Sequence, residues 1–361
     1  MLHVILLLAC AVVIYLACEW FVNAVEWLGV RMNVGPVAVG TILAAAGTAL
    51  PESVVTLVAV VFGSRHSGAD IGVGAALGGP LVVGTVAYGV TGAMLLLRHR
   101  RRARGRLASA LVPAATPPGT ADEPSEPPAA DQRSAALDGT DTRRLARDQV
   151  WFLAIFVVKV ALGLVAFAVK PWLGVLFLAA YAVYFWREMR EEGGAGGGEQ
   201  LEPLKLQPGR AVPATLPVVV QTLVTLALIF AGSQLFVAQL EWAGPALGLP
   251  AAVVALLLSP VATELPEIMN AVIWVRQGKT QLALANISGA MMIQATVPSA
   301  LGIFFTPWVF DAPLIAAGLA TMASVLYLLW LFGTGRVTPA RLFGAAAFYL
   351  AFAVALVLTL G

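Results

Sequence analysis

About ten stretches of this sequence stay apolar for long enough to cross a lipid bilayer, and that restricts the fold more than any other feature. A spanning helix takes roughly 17–25 residues. The stretches lie near 2–28, 35–62, 70–97, 150–169, 171–187, 213–243, 250–275, 280–306, 312–332 and 339–360. The chain is 59% hydrophobic and 12% charged. A soluble domain is nearer half apolar and a quarter charged. An integral membrane protein is therefore predicted, all-α, with about ten transmembrane helices. The first apolar run has no basic segment before it and continues past Cys18 through Trp27. That predicts a first membrane helix, not a cleaved signal.

The apolar runs define the predicted organisation. Residues 1–97 hold the first three helices and 150–187 the next two. Residues 213–306 hold helices six to eight, and 307–361 the last two. Residues 98–149 open with Arg98-His99-Arg100-Arg101-Arg102 and turn to Pro, Ala, Ser, Asp and Glu. That composition cannot bury a core and predicts a disordered loop. Residues 188–212, with Gly-Gly-Ala-Gly-Gly-Gly at 193–198, predict a flexible linker.

Charge placement predicts the orientation. With the N-terminus outside, every Lys and Arg except Arg65, Lys170 and the intrahelical Lys159 falls on the inner side. The positive-inside rule then puts both termini outside the cytoplasm and the 98–149 and 188–212 loops within it. The predicted location is a plasma or inner membrane.

A repeat sits inside this pattern. Shifting the chain by 215 positions lays residues 21–52 on 236–267 without a gap, with 11 identities in 32 positions. Phe21-Val22 meets Phe236-Val237, and Glu26-Trp27-x-Gly29 meets Glu241-Trp242-x-Gly244. Thr48-Ala49-Leu50-Pro51-Glu52 meets Thr263-Glu264-Leu265-Pro266-Glu267. Five predicted helices separate the copies, so the second enters the membrane from the opposite side. Such inverted repeats place their site at the midplane, between broken helices of the two halves.

The repeated stretch carries chemistry that a membrane helix should not hold. Proline lacks an N–H, so Pro51 frees the carbonyl of Gly47, and Pro266 that of Ala262. A break is expected at both, lining a cavity, because bare carbonyls are costly in hydrocarbon. Each ionised carboxylate at the bilayer centre costs roughly 2.5–3.5 kcal/mol on the lenient insertion scale. Glu52, Glu264 and Glu267 therefore call for a bound cation or protons. Carboxylates and carbonyls are hard ligands that suit Na⁺, Ca²⁺, Mg²⁺ or Mn²⁺.

The neighbouring segments offer less. The glycines between Gly72 and Gly92 suit close helix packing. Asn286, Ser288 and Gln294 are polar within a span and suit either ligation or an interhelical hydrogen bond. Glu19 is expected to reach water, whereas Glu26 and Glu241 suit either water or an entry path. Lys159, isolated in an apolar helix, calls for a carboxylate partner. His3, His66 and His99 lie at ends or in loops, so no histidine metal cluster is expected.

The paired Thr-x-Leu-Pro-Glu stretches, the five-plus-five layout and the central loop resemble the sodium/calcium exchanger branch of the calcium/cation antiporter superfamily. The similar blocks, about 19–92 and 234–302, match that family's α-repeats. The resemblance implies that Glu52, Glu267, Thr48 and Thr263 contribute to ion sites, with Asn286, Gln294 and the extra Glu264 beside them. It also marks departures. The motif serine is Ala49 in one half and Glu264 in the other. The following Asn and Ser are lost from Gly74-Ala75-Ala76-Leu77-Gly78-Gly79, and the later amide or acid falls on Val83. In the second half Ala290 replaces a serine. In the family those oxygens help form Na⁺ sites, so their loss argues against three-Na⁺ coupling. Three close carboxylates cannot easily all be ionised at once, which favours exchange against protons.

The expected protein is thus a secondary-active antiporter that exchanges Ca²⁺ or another hard cation against Na⁺ or H⁺ by alternating access. No enzymatic activity, bound cofactor or nucleic-acid partner is expected. The rivals are a strictly H⁺-coupled exchanger without Na⁺ dependence, and a non-transporting homologue whose basic 98–106 run binds anionic lipid or a partner.

Overall fold

The computed structural model describes residues 2–31, 44–63, 67–110, 141–191, 201–278 and 280–360. These form helices α1 (Leu2–Arg31), α2 (Ala44–Phe62), α3 (Gly68–Val82), α4 (Tyr88–Ala110), α5 (Thr142–Gly163) and α6 (Gly174–Glu191). They continue as α7 (Thr215–Leu247), α8 (Ala251–Thr263), α9 (Leu265–Gln277), α10 (Thr280–Phe305), α11 (Ala312–Gly333), α12 (Pro339–Gly344) and α13 (Ala346–Leu360). A π-helical turn, Val83–Ala87, joins α3 to α4. Among the described residues there is no strand.

Local chemistry sets several ends. Asp141 caps α5 by accepting from the amides of Arg143 and Arg144, and Asp311 caps α11 by accepting from Leu314. Acidic caps satisfy the orphan amides of a first turn. Gly248 (φ 65°) closes α7 and Gly278 (φ 89°) closes α9, both in the left-handed region that glycine enters without strain.

Among the described residues, six helical stretches are long and apolar enough to cross a membrane: His3–Phe21, Gly68–Arg100, Thr215–Leu247, Ala283–Phe305, Ala312–Gly333 and Pro339–Leu358. The outer surface is apolar to match. Ile5 and Val12 on α1, and Leu223 and Leu235 on α7, are exposed. In water so much exposed apolar surface would be an aggregation liability; against lipid it is the expected exterior.

The packing is reciprocal. Helix α1 runs against α7, α2 against α10, and α3 against α8. The glycines of α3 explain the last contact. A Cβ on Gly74 would collide with the Ala252 backbone, and one on Gly78 would come within 2.7 Å of the Leu256 carbonyl. Backbone cannot move aside as a side chain can, so only hydrogen fits at this crossing. That is the packing role anticipated for the stripe.

Three expectations are corrected. Residues 98–110 continue α4 and 142–149 open α5, so both flanks of the anticipated loop are helical. Residues 111–140 lie outside the described residues. The Arg98 guanidinium donates to the Val275 carbonyl at the end of α9 (3.0 Å), which gives the basic run's first member an internal partner.

The anticipated linker is pinned along 201–213. The Trp27 indole donates to the Glu202 carbonyl (2.9 Å), Asn23 accepts from the Lys205 amide (3.0 Å), and Gln221 accepts from the Leu206 amide (2.9 Å). Leu204 is fully buried with Ala24, Trp27 and Val218. Glu19 pairs with Lys205. Composition missed this because the partners lie on α1 and α7, outside the segment; 192–200 are not described.

The third correction concerns the breaks. A discontinuity occurs at Glu264 (φ −99°, ψ −9°), between α8 and α9, and Pro266 follows it at the second position of α9. Proline suits a first turn, where its missing N–H costs nothing. In the other half α2 continues through Pro51.

Gly74→Leu is expected to destabilise by about 1–3 kcal/mol or more through overpacking. Lower thermal stability of the detergent-solubilised variant would be the readout. Gly335→Ala in the α11–α12 turn, with open space around its Cβ, tests only the cost of a positive φ.

Candidate cation site

Four helices bring the polar groups together. Helix α2 contributes Glu52, α8 contributes Thr263, the α8–α9 break contributes Glu264, and α9 contributes Glu267 in its first turn. Helix α10 contributes Asn286 and Gln294. Glu52, Thr263, Glu264, Glu267, Asn286 and Gln294 are all at most 1% exposed. The Thr48 side chain lies outside the described residues.

Glu264 is the best-satisfied acid. The Thr263 hydroxyl donates to its Oε1 (2.7 Å) and the Gln294 amide to its Oε2 (2.5 Å). This network was not predicted as such, although all three residues were singled out. A residue at a helix break turns its side chain out of the helical register, which here sends Glu264 to α10.

Glu52 is held differently. Its carboxylate lies against the Cα of Gly79 on α3, where any Cβ would collide with it. Gly79 is thus a seat for the carboxyl group, whereas Gly74 and Gly78 serve packing. The Glu52 and Glu264 carboxyls approach closely enough to hydrogen-bond if a proton lies between them, and the charge of Glu267 also acts on Glu52. Among the described residues no other donor reaches either Glu52 oxygen.

Glu267 sits where the first-turn amides of α9 favour a negative charge. Among the described residues, both amide atoms of Asn286 are buried without a hydrogen-bond partner, as is Gln294 Oε1. A buried polar group left unsatisfied costs about 1–3 kcal/mol, so such groups point to a partner that is not part of the chain. Thr56, one turn after Glu52, and Ser259, one turn before Thr263, carry buried hydroxyls in the same condition. Sequence reading passed over both. Their spacing of four residues from a site residue was the available signal.

Ser288 does not join these groups. Its hydroxyl pairs with the Tyr88 hydroxyl (2.9 Å), and the Gln149 amide donates to Tyr88 (2.9 Å). It serves the interhelical hydrogen bond that was one of its two anticipated roles. Among the described residues no three His, Cys, Asp or Glu side chains converge as a ready metal cluster. A cation here would need neutral oxygens as well as acids.

Buried acids and unsatisfied amides enclosed by membrane-length apolar helices define an integral membrane protein with a polar interior. The chain belongs to the sodium/calcium exchanger protein family, whose sequence profile matches residues 2–189 and 217–361. It is therefore a multi-pass membrane protein and a cation antiporter. The fold is similar to that of the sodium-calcium exchanger NCX_Mj, at 18% identity and a TM-score of 0.57, with 97% of each chain covered. It is also similar to the H⁺/Ca²⁺ exchanger CAX, at 16% identity and a TM-score of 0.67, covering 98% of this chain and 82% of that one. No curated protein matches the sequence.

Gly79→Ala is expected to displace the Glu52 carboxylate and weaken divalent-cation binding at least about tenfold, the fold-change of roughly 1.4 kcal/mol. Gly84→Ala is the control, since its Cβ would meet only side-chain atoms at 3.5 Å or beyond. Calcium titration of the two purified variants checks the difference.

Proposed function

We propose that the chain is a ten-span antiporter of two inverted five-helix repeats that exchanges Ca²⁺, or another hard divalent cation, against protons. The observation that carries the proton coupling is that Glu52 and Glu264 neighbour each other, with no other donor at Glu52 among the described residues. Two carboxylates this close repel when both are ionised and attract when one proton is shared. Proton and divalent ion thus compete for the same oxygens. Each carboxyl group that releases a proton adds one negative charge toward the two positive charges of the ion.

In this reading Glu52 and Glu267 are the main ligands, and Glu264, Gln294, Asn286, Thr263 and Thr48 complete the shell. Asn286 and Gln294 Oε1 supply oxygens that no other described residue uses. The 215-residue offset and the reciprocal packing of α2 on α10 and α3 on α8 support the inverted repeat. Helices α1 and α7, packed on each other and against α2, would slide over the rest to alternate access. The Lys and Arg distribution supports external termini in a cell membrane, with 98–149 and 188–212 on the cytoplasmic side.

Sodium coupling is the second reading. Two of the solved structures similar in fold are a sodium-calcium and an H⁺/Ca²⁺ exchanger, so this fold accommodates either driving ion. Ala49, Gly79 and Val83 supply no side-chain oxygen on the first-half side, which favours protons.

Reconstitution into proteoliposomes separates the readings. Calcium uptake is expected in sodium-free buffer under an imposed pH gradient, and Glu52→Gln or Glu267→Gln is expected to abolish it in folded protein. Uptake that requires a Na⁺ gradient selects the second reading. Folded protein that moves Ca²⁺ under neither gradient overturns both and favours the lipid-binding homologue. Lowering the pH on both faces is expected to weaken apparent Ca²⁺ affinity, because protons then hold the carboxyl oxygens.

A further inference from the structure

Lys159 on α5 is fully buried in the interior of a membrane protein. An ammonium there is costly and needs a reason. Its Nζ donates to the Ala76 carbonyl at 2.7 Å. Ala76 lies four residues before Pro80, and proline has no N–H to offer the carbonyl at that spacing. The lysine therefore takes the place of a helix donor that the sequence of α3 removes. Two rings enclose it: Nζ is 5.1 Å from the Phe156 centroid and 6.0 Å from that of Trp308. The Trp308 indole donates to Lys159's own carbonyl (3.2 Å), which fixes the base of the side chain.

This held position lies beside the cation site. Gly79, which seats the Glu52 carboxylate, follows Ala76 by three residues on α3, so the two share a helix face. The charges of Lys159 and Glu52 act on each other. The acids facing this region are Glu52, Glu264 and Glu267. The ammonium itself bonds to the Ala76 backbone, and no carboxylate is in salt-bridge contact with it among the described residues; Glu52 is the acid whose charge acts on it.

We infer that Lys159 is a tethered counter-ion of the exchange site: pinned at the Ala76 carbonyl, it balances Glu52 when no metal is bound, lowers the affinity for a divalent cation, and stands where a monovalent ion would otherwise be needed. This rests on the cation-antiporter reading above and adds a residue outside the two repeated blocks. The lysine is covalently tethered, so it stays beside the site through the transport cycle while metal and proton exchange.

The sign of the effect separates this role from simple support of α3. A merely structural lysine, once removed, would leave cation affinity unchanged or lower. A counter-ion, once removed, leaves it higher. Calcium titration of detergent-purified Lys159→Met, whose side chain keeps the apolar stem, is expected to give a Kd at least about tenfold below wild type, as for loss of one nearby charge in a poorly screened interior. Sodium is expected to begin competing with Ca²⁺ in that variant. An unchanged or higher Kd overturns the inference.

If Lys159→Met does not yield folded protein, thermal unfolding of Lys159→Met/Glu52→Gln decides. A counter-ion pair predicts that removing both charges restores a monodisperse protein; a double variant no better than Lys159→Met overturns the inference. Binding and unfolding report on the Lys159–Glu52 coupling, and flux reports on antiport. Failure of the antiport reading is therefore distinguishable from failure of this one.

Discussion

A carboxylate inside a membrane must be neutralised, and the polar groups around Glu52, Glu264 and Glu267 answer that demand. Glu52, Glu264 and Glu267 are buried among helices whose outer faces meet lipid. The chain offers three partial solutions. Thr263 and Gln294 hydrogen-bond Glu264, the first turn of α9 favours Glu267, and Glu52 is left with a neighbouring acid and the charge of Lys159. Among the described residues neither Glu52 nor Glu264 has a cation in salt-bridge contact. A site completely satisfied by its own protein would have no use for an ion; one left entirely unsatisfied would not persist in hydrocarbon. The intermediate condition is the one an exchanger needs.

The backbone serves the same end. Three of the interior prolines, Pro266, Pro80 and Pro51, stand next to the polar groups, each in a different way. Pro266 starts α9 just after the break that releases Glu264. Pro80 bares the Ala76 carbonyl that holds Lys159. Pro51 remains inside α2 and places Glu52 one residue later. Glycine acts beside proline: Gly74 and Gly78 let α3 lie directly on α8, and Gly79 makes room for a carboxyl group. Substituting any of these three adds a Cβ where backbone or a carboxyl group already stands. The latch along 201–213 works outside this interior. It ties α1 to α7 through Asn23, Trp27 and Gln221, so the pair proposed to slide is also joined by its connecting segment.

The sequence by itself determined the class and the principal acids. Run length and apolarity fix a helical membrane protein, because a spanning segment must satisfy its own backbone. The repetition of Thr-x-Leu-Pro-Glu 215 positions apart marked Glu52, Glu264 and Glu267 before any coordinates, since the cost of a buried carboxylate does not depend on the details of packing. What surrounds those acids was decided only by the tertiary structure. That α2 runs through its proline while α8 and α9 separate, that Gly79 is a seat and Gly78 a packing contact, and that Lys159 answers to Ala76 and Glu52 all depend on neighbours far away in the chain. A side chain's type states what it requires; which distant helix supplies it is set by close packing, and no local spacing encodes that.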